Sequence, residues 1–341
     1  MRILGIESSC DESAMCVMDI TPTTQPPIIL QATLLENFVA THDMTAYKGV
    51  VPEAAARAHF ELLPQMLEKI TYLLSSIDCV AAACEPGLMG GLIMGACVGK
   101  SVAVALGRPF YSVDHIKAHA LSALIENPSL QFPYICLLVS GGHTMLIKVY
   151  GFDKMHVLGR SVDDAMGEFF DKIASYLGLG FPGGRRVEEK AVLGDRARFK
   201  LKLPKVKRNE WDFSFSGLKT AFIKIIDTLK VDAGGDLSES DMADVCACLQ
   251  ATVERICIQK LTLCFAKYPQ IQNYCVAGGV ASNSSIRQAV IELCEKYNKR
   301  VVFPTAFLCT DNAVMIAFAA YEKALGGVCE LNADVKSSLC W

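Results

Sequence analysis

The stretch YICLLVSGGHTMLIKVY, residues 134–150, places two β-type apolar runs on either side of the turn SGGHT. In pattern, though not in letters, it repeats the opening of the chain: RILGIE (2–7), the small and polar turn SSCDES (8–13), then AMCVMDI (14–20). Apolar runs bounded by Gly, Ser and Asp predict strand, tight turn, strand. One such unit at the start of a chain and a second near its middle predict duplicated halves.

Helix patterns fill the space between and after these units. VPEAAARAHFELLPQMLEKITYLLSS (51–76) has helical apolar spacing, with Pro64 expected to start, end or bend a helix. DMADVCACLQATVERICIQKLTLCFAKY (241–268) is a long amphipathic run. NYCVAGGVASNSSIRQAVIELCEKYN (273–298) reads as strand, glycine loop, helix, and TDNAVMIAFAAYEKALGG (310–327) as a helix with a polar start and a glycine stop. Strands alternating with helices predict an α/β fold.

The chain has 341 residues, enough for two domains, and its 52 % apolar content can fill two cores. A charged fraction of 20 % and net charge of −3 exclude a disordered chain and a bulk polyanion binder. The charge is unevenly spread. Residues 185–208 carry ten Lys or Arg and three Asp or Glu, +7, which leaves −10 for the remainder. That segment reads either as a solvated loop or as a contact for an RNA phosphate backbone. Fifteen cysteines include no CxxC pair. Most lie in apolar runs, among them Cys16, Cys97, Cys136, Cys264 and Cys275, and read as small core residues in a reducing compartment. The N-terminus enters a strand at once, without the pattern of a signal or transit peptide. The most apolar window, 87–107, is interrupted by six glycines and Lys100, which argues against a membrane span. A cytoplasmic protein is expected.

Chemistry first shows in SVDHIKAHALSAL, residues 112–124. His115 and His119 are spaced i, i+4, so a helix presents both imidazoles on one face, where they can share a metal ion. Asp114 can cap that helix and Asn127-Pro128 can end it. A zinc peptidase would need glutamate directly after the first histidine, and Ile116 stands there. A third ligand must come from elsewhere, and Asp311 in CTDNAVMIA is one candidate. The loops VSGGHT (139–144) and VAGGVASN (276–283) each follow a β-type run, and adjacent glycines let backbone N–H groups cradle a phosphate. GACVGKS (95–101) imitates a P-loop but is one residue short and lies inside a glycine-spaced helical run. Its glycines read as close helix packing.

GIESSCDES, VVPEAAARAH, VDHIKAH, LLVSGGHT, DDAMGEFFDK, GFPGG, FSFSGLKT, GGVASN and CTDNAVMIA occur together and in order, from residue 5 to about 317. The set resembles the tRNA N6-adenosine threonylcarbamoyltransferase family of bacterial type, formerly called O-sialoglycoprotein endopeptidases. The resemblance implies two related actin/Hsp70/sugar-kinase-like α/β domains with a nucleotide cleft between them. The first would span 1–128 plus a C-terminal helix at about 311–341. The second would span 129–310 and carry the basic segment. It implies transfer of a threonylcarbamoyl group from threonylcarbamoyl-adenylate to the N6 amine of the adenosine 3′ of the anticodon, in tRNAs reading A-starting codons. It implies one divalent metal, iron(II) ahead of zinc, held by His115, His119 and Asp311. It implies substrate contacts from Leu138, Val139, Ser140, Gly141, Gly142, Asp171, Gly184, Glu188 and Asn283, with Glu12 near the reaction centre. By the same resemblance the partners are tRNA, an inactive paralogue and a small ATPase, with no membrane.

Some positions depart from the family pattern: Glu85 opens EPG, Arg185 and Arg186 follow GG, and the chain ends SSLCW. Three other readings compete. One is a carbamoyl transferase of this fold acting on a small molecule. Another is a non-catalytic scaffold, against which the intact histidines and Asp311 argue. The third is a metallopeptidase, which lacks its glutamate.

Overall fold

In a computed structural model, which describes residues 1–22, 30–42 and 50–339, the chain forms two sheets of five strands each. The first half contains β1 (Arg2–Glu7), β2 (Glu12–Pro22), β3 (Leu30–Thr41), α1 (Pro52–Lys69), β4 (Cys79–Glu85), α2 (Met89–Leu106), β5 (Phe110–Asp114) and α3 (His115–Glu126). The second contains β6 (Tyr134–Val139), β7 (Thr144–Val149), β8 (Met155–Arg160), α4 (Met166–Tyr176), α5 (Gly184–Ala191), α6 (Ser216–Ala233), α7 (Glu239–Lys267), β9 (Asn273–Ala277), α8 (Ser284–Lys296), β10 (Arg300–Val302) and α9 (Ala306–Cys309). The last helix is α10 (Ala313–Gly326). Backbone contacts divide the chain into one unit of Met1–Gln131, Gly151–Met155 and Thr310–Trp341, and another of Phe132–Tyr150 and His156–Cys309.

The sheets share one topology. Strand order is β3-β2-β1-β4-β5 in the first unit and, read in the matching direction, β8-β7-β6-β9-β10 in the second. In each, an antiparallel hairpin is followed by parallel strands: β1 pairs antiparallel with β2 and parallel with β4, and β6 pairs antiparallel with β7 and parallel with β9. The duplicated strand–turn–strand units are these hairpins.

Strand alternation sends successive side chains of β1 to opposite faces of the first sheet. On one face Gly5 lies under α10: an added Cβ would sit 2.5 Å from the Ala313 carbonyl oxygen. On the other, Ile6 lies under Gly95 and Gly99 of α2. Helices therefore cover both faces, as a central parallel sheet requires. The core of this unit gathers Leu4, Ile6, Met15, Val17, Leu63 and Phe110. The core of the second gathers Leu137, Phe169, Phe213, Phe222, Leu249 and Tyr274.

Two expectations change and a third narrows. Pro64 sits inside α1, which runs on to Lys69. The C-terminal helix stops at Gly326, where Gly327 takes a positive φ of 72°. The segment beyond folds back instead of continuing as helix: Glu330 N–H donates to the Phe110 carbonyl and Lys336 N–H to that of Cys84, both at 2.8 Å. Cys340 and Trp341 of the SSLCW ending lie outside the described residues. Finally Cys97 is exposed, while eleven other described cysteines, such as Cys16, Cys136 and Cys275, are buried. The apolar window at 87–107 contains helix α2, long and apolar enough to cross a membrane, with its glycines packed on α1, the SSCDES turn and the sheet. Lys100 of GACVGKS donates to the Ala333 carbonyl at 2.6 Å, far from any phosphate role.

Candidate functional site

The first unit builds a metal-type centre at the carboxyl ends of its parallel strands. As β5 ends, Asp114 caps α3 by accepting from Lys117 N–H at 2.9 Å. That cap places His115 at the first helical position and His119 one turn on. Their rings lie edge to face, with centroids 4.6 Å apart. Asn312, fully buried, caps α10 through Met315 N–H at 2.9 Å and so holds Asp311 just ahead of that helix. Asp311 Oδ1 lies 2.9 Å from His119 Nε2 and 3.7 Å from His115 Nε2. One ligand atom from each of the three residues falls within 4.8 Å of the others.

The surroundings orient those atoms. Glu7, at the end of β1 and fully buried, sets Oε2 2.9 Å from His115 Nδ1, while its Oε1 accepts from Ser9 N–H at 2.5 Å. A carboxylate at Nδ1 holds a proton there, so that a cation arriving at Nε2 need displace only the proton facing Asp311, the usual arrangement behind a ligating histidine. Burial pulls the His115 imidazole down, but the Glu7 and Asp311 carboxylates outweigh it and carry it up to about 9. Burial pushes the Glu12 carboxyl far up, and the neighbouring Asp311, Asp11 and Glu7 add to it. The pocket thus gathers more acids than imidazoles, and they resist ionising together. Two histidines and one carboxylate converging there form a donor set suited to a divalent cation, which would offset that resistance.

The SSCDES turn is held by two helices. His59 of α1 donates through Nε2 to the Cys10 carbonyl at 3.1 Å and receives the Ser13 hydroxyl at Nδ1, 2.7 Å away. Beside His59, α2 approaches so closely that a Cβ on Gly91 would lie 2.2 Å from the Ser8 carbonyl oxygen. Gly95, the first glycine of the false P-loop, comes as close, its Cβ position lying 2.2 Å from Ser8 Oγ.

In the second unit, β6 and β9 are parallel neighbours, so their two glycine loops, 140 and 278 in the chain, emerge side by side. Gly278 takes φ 92°, and a Cβ on it would meet the Val139 carbonyl oxygen at 2.5 Å. Gly141, Gly142 and Gly184 face open space. The start of α4 abuts the first loop: Gly167 N–H donates to the Ser140 carbonyl at 3.1 Å, and Met166 N–H to Thr144 Oγ1 at 2.8 Å. Backbone donors and a helix start beside open glycines suit an anion. Leu138 and Val139 are buried strand residues, so only their backbone can serve a ligand.

The polar candidates here also hold structure. Asp171 accepts from Gly183 N–H at 2.7 Å. Glu188 accepts from Ser284 N–H at 2.7 Å. Asn283 caps α8 through Ile286 N–H at 3.0 Å and exchanges two 2.9 Å amide bonds with Gln250.

A family model for tRNA N6-adenosine threonylcarbamoyltransferase (TsaD) matches residues 33–318. Proteins of that name from Agrobacterium fabrum and Neorickettsia sennetsu are 42 % and 38 % identical to this chain. The first match covers 96 % of this chain and 90 % of the relative, the second 99 % and 98 %. The chain belongs to the tRNA N6-adenosine threonylcarbamoyltransferase family. In fold, this transferase chain also resembles HypF of T. kodakarensis, with TM-score 0.62 at 15 % identity over 96 % of this chain. A full-length HypF in a phosphate- and nucleotide-bound form gives TM-score 0.60 at 14 % identity over 95 %. The chain spans about half the length of each, 48 % and 46 %.

The residues missed by sequence reasoning are Glu7, Ser9, Ser13 and His59, which lie within the family's motifs, and Gln250, which does not. Glu7 had one signal: an acid at the inward end of an apolar strand must meet a partner on burial. Gln250 had none, since only folding sets α7 beside Asn283.

Proposed function

We infer that the chain is a tRNA-modifying transferase, which moves threonylcarbamoyl from threonylcarbamoyl-adenylate to the N6 amine of the adenosine 3′ of the anticodon. Membership of the family carries this reading, and the convergence of His115, His119 and Asp311 supports it over a non-catalytic scaffold. We assign iron(II) to that triad, with zinc as the alternative; when bound, the ion supplies charge stabilisation at substrate oxygens.

The reaction joins N6 to the carbamoyl carbon and breaks that carbon's bond to the phosphate oxygen. AMP leaves with the electron pair, and N6 loses one proton. An adenine amine is a weak nucleophile because its lone pair is delocalised into the ring, so positioning must supply much of the rate. In this reading the backbone N–H groups of Gly141 and Gly142 hold the adenylate phosphate, while that of Ser140 closes the turn by donating to the His143 carbonyl at 2.8 Å. Asp171, Gly184, Glu188 and Asn283 border the nucleoside. Glu12 stands beside the metal-type centre; its raised carboxyl keeps its own proton until a cation or substrate displaces it, so it positions the reacting groups. Glu7 holds His115 in its ligating tautomer. The free state of all fourteen described cysteines supports a reducing, cytoplasmic setting. An inactive paralogue and a small ATPase are the expected partners.

The test is mass-spectrometric nucleoside analysis of tRNA incubated with this chain, threonine, bicarbonate, ATP and those partners. Threonylcarbamoyl-adenosine should form with the native chain and not with a His115→Ala, His119→Ala variant. Equal product from both rejects the triad; no product from either rejects the activity.

A further inference from the structure

The fold divides the basic segment into two halves of opposite character. Arg185 pairs with Glu189 at 2.9 Å, and Arg186 donates to the Leu179 carbonyl. Lys190 pairs with Glu239, and Arg196 with Glu254. Arg198 reaches Asp241 and Asp244 at 2.6 and 2.7 Å. These five side chains are spent within the protein, four of them on acids. The other five, Lys200, Lys202, Lys205, Lys207 and Arg208, are exposed and form no ion pair among the described residues. No Asp or Glu interrupts 199–209.

Exposure in this stretch follows residue type. Every basic side chain is exposed, whereas Phe199, Leu201, Leu203, Pro204 and Val206 are half-buried, with Phe199, Leu201 and Leu203 packed on the second core. One helix holds the strip at both ends. From α7, Cys248 Sγ accepts from Phe199 N–H at 3.3 Å and Arg255 Nη1 donates to the Leu201 carbonyl at 3.2 Å. Lys260, itself buried, donates to the carbonyls of Glu210 and Asp212, both at 2.6 Å. A loop with no binding role needs neither an apolar underside nor three anchors. A phosphate-binding strip gains from both, because a backbone already in place loses less freedom on binding.

We propose that residues 200–208 form a sequence-independent contact for the phosphate backbone of tRNA, and that the charges at 185–198 do not take part. The proposal rests on the tRNA-modifying reading above. Lysines aimed at phosphates position a nucleic acid without reading its bases. Each contact releases counterions, so its loss lowers the slope of log affinity against log salt by about 0.7–0.9.

The experiment measures tRNA binding by fluorescence anisotropy at several salt concentrations, with the full chain and without the transfer reaction. Lys200→Ala, Lys202→Ala, Lys205→Ala combined should weaken binding of several unrelated tRNAs alike and reduce the salt slope by about 2–3. The same three positions changed to Arg should keep the native slope. Arg185→Ala, which removes a charge from the paired half, should leave it unchanged. An unaltered slope in the alanine triple overturns the proposal while leaving the transferase reading in place. A native chain that fails to bind tRNA overturns the proposal, and the transferase reading then stands or falls by the nucleoside analysis above. Loss of binding to phosphatidylserine vesicles with no change toward tRNA assigns the strip to a membrane and overturns the proposal.

Discussion

Replacing Glu7 by Gln tests whether the metal-type centre depends on an oriented tautomer. The substitution keeps shape and volume but changes what each terminal atom offers. In the native chain one carboxylate oxygen faces His115 Nδ1 at 2.9 Å and the other accepts Ser9 N–H at 2.5 Å. Both neighbours are met as donors, and Gln has one acceptor and one donor. If its oxygen stays with Ser9, its NH₂ faces Nδ1, which must then accept, and the ring proton moves to Nε2. A protonated Nε2, 3.7 Å from Asp311, cannot ligate. If the amide flips, two N–H donors oppose each other in a fully buried site. Either way one ligand is compromised. Loss of such an orienting partner costs about 10–100-fold in metal affinity, or about 1.4–2.8 kcal/mol. Zinc titration in competition with a chromophoric chelator measures it, with Ser9→Ala as a milder comparison. A Glu7→Gln protein that melts like the native one and binds zinc within about twofold of it would refute the tautomer argument.

Three further outcomes follow from the geometry. Gly278→Ala places a Cβ 2.5 Å from the Val139 carbonyl oxygen at a positive φ, so chemical denaturation should record a loss of about 1–3 kcal/mol; a loss below about 0.5 kcal/mol contradicts it. Asp164 accepts from Lys172 at 2.8 Å and Lys219 at 2.6 Å, and although burial opposes ionisation these two bonds hold its carboxyl below the usual range. Its stabilisation is complete above the unfolded value, near 3.9, and fades as pH falls through the lower folded value. The Tm gap between native and Asp164→Asn proteins should therefore be widest near neutrality and narrow below about pH 4; a gap constant with pH refutes it. Brief alkylation of the native protein, read by mass spectrometry, should modify Cys97 and Cys329 well ahead of buried Cys136 or Cys257, and equal rates would contradict their burial.

Much of the architecture was legible because it is local. Turn residues between β-type runs marked both hairpins, and Asp114 and Asn127 marked the ends of the histidine helix. The i, i+4 histidines needed only helical periodicity to share a face. Pro64 neither starts nor ends a helix, because a proline removes one hydrogen bond and α1, packed on α2, keeps its helix across that gap. Cys97 misled because α2 is apolar nearly all round, so its pattern does not mark the outward face.

What the chain decided alone was its repeating hairpins, its helix caps, and which residue types were on hand for chemistry, since each rests on neighbours a few positions apart. Folding decided which of them meet. Asp311 reaches His119 across 192 residues, Glu7 turns His115, and parallel pairing of β6 with β9 brings together glycine loops at 140 and 278. It also decided that three basic side chains of the segment, Lys190, Arg196 and Arg198, meet acids of α7, while the stretch 200–208 forms no ion pair among the described residues. Those encounters depend on sheet register and on the approach of helices from elsewhere in the chain, and no local pattern encodes either.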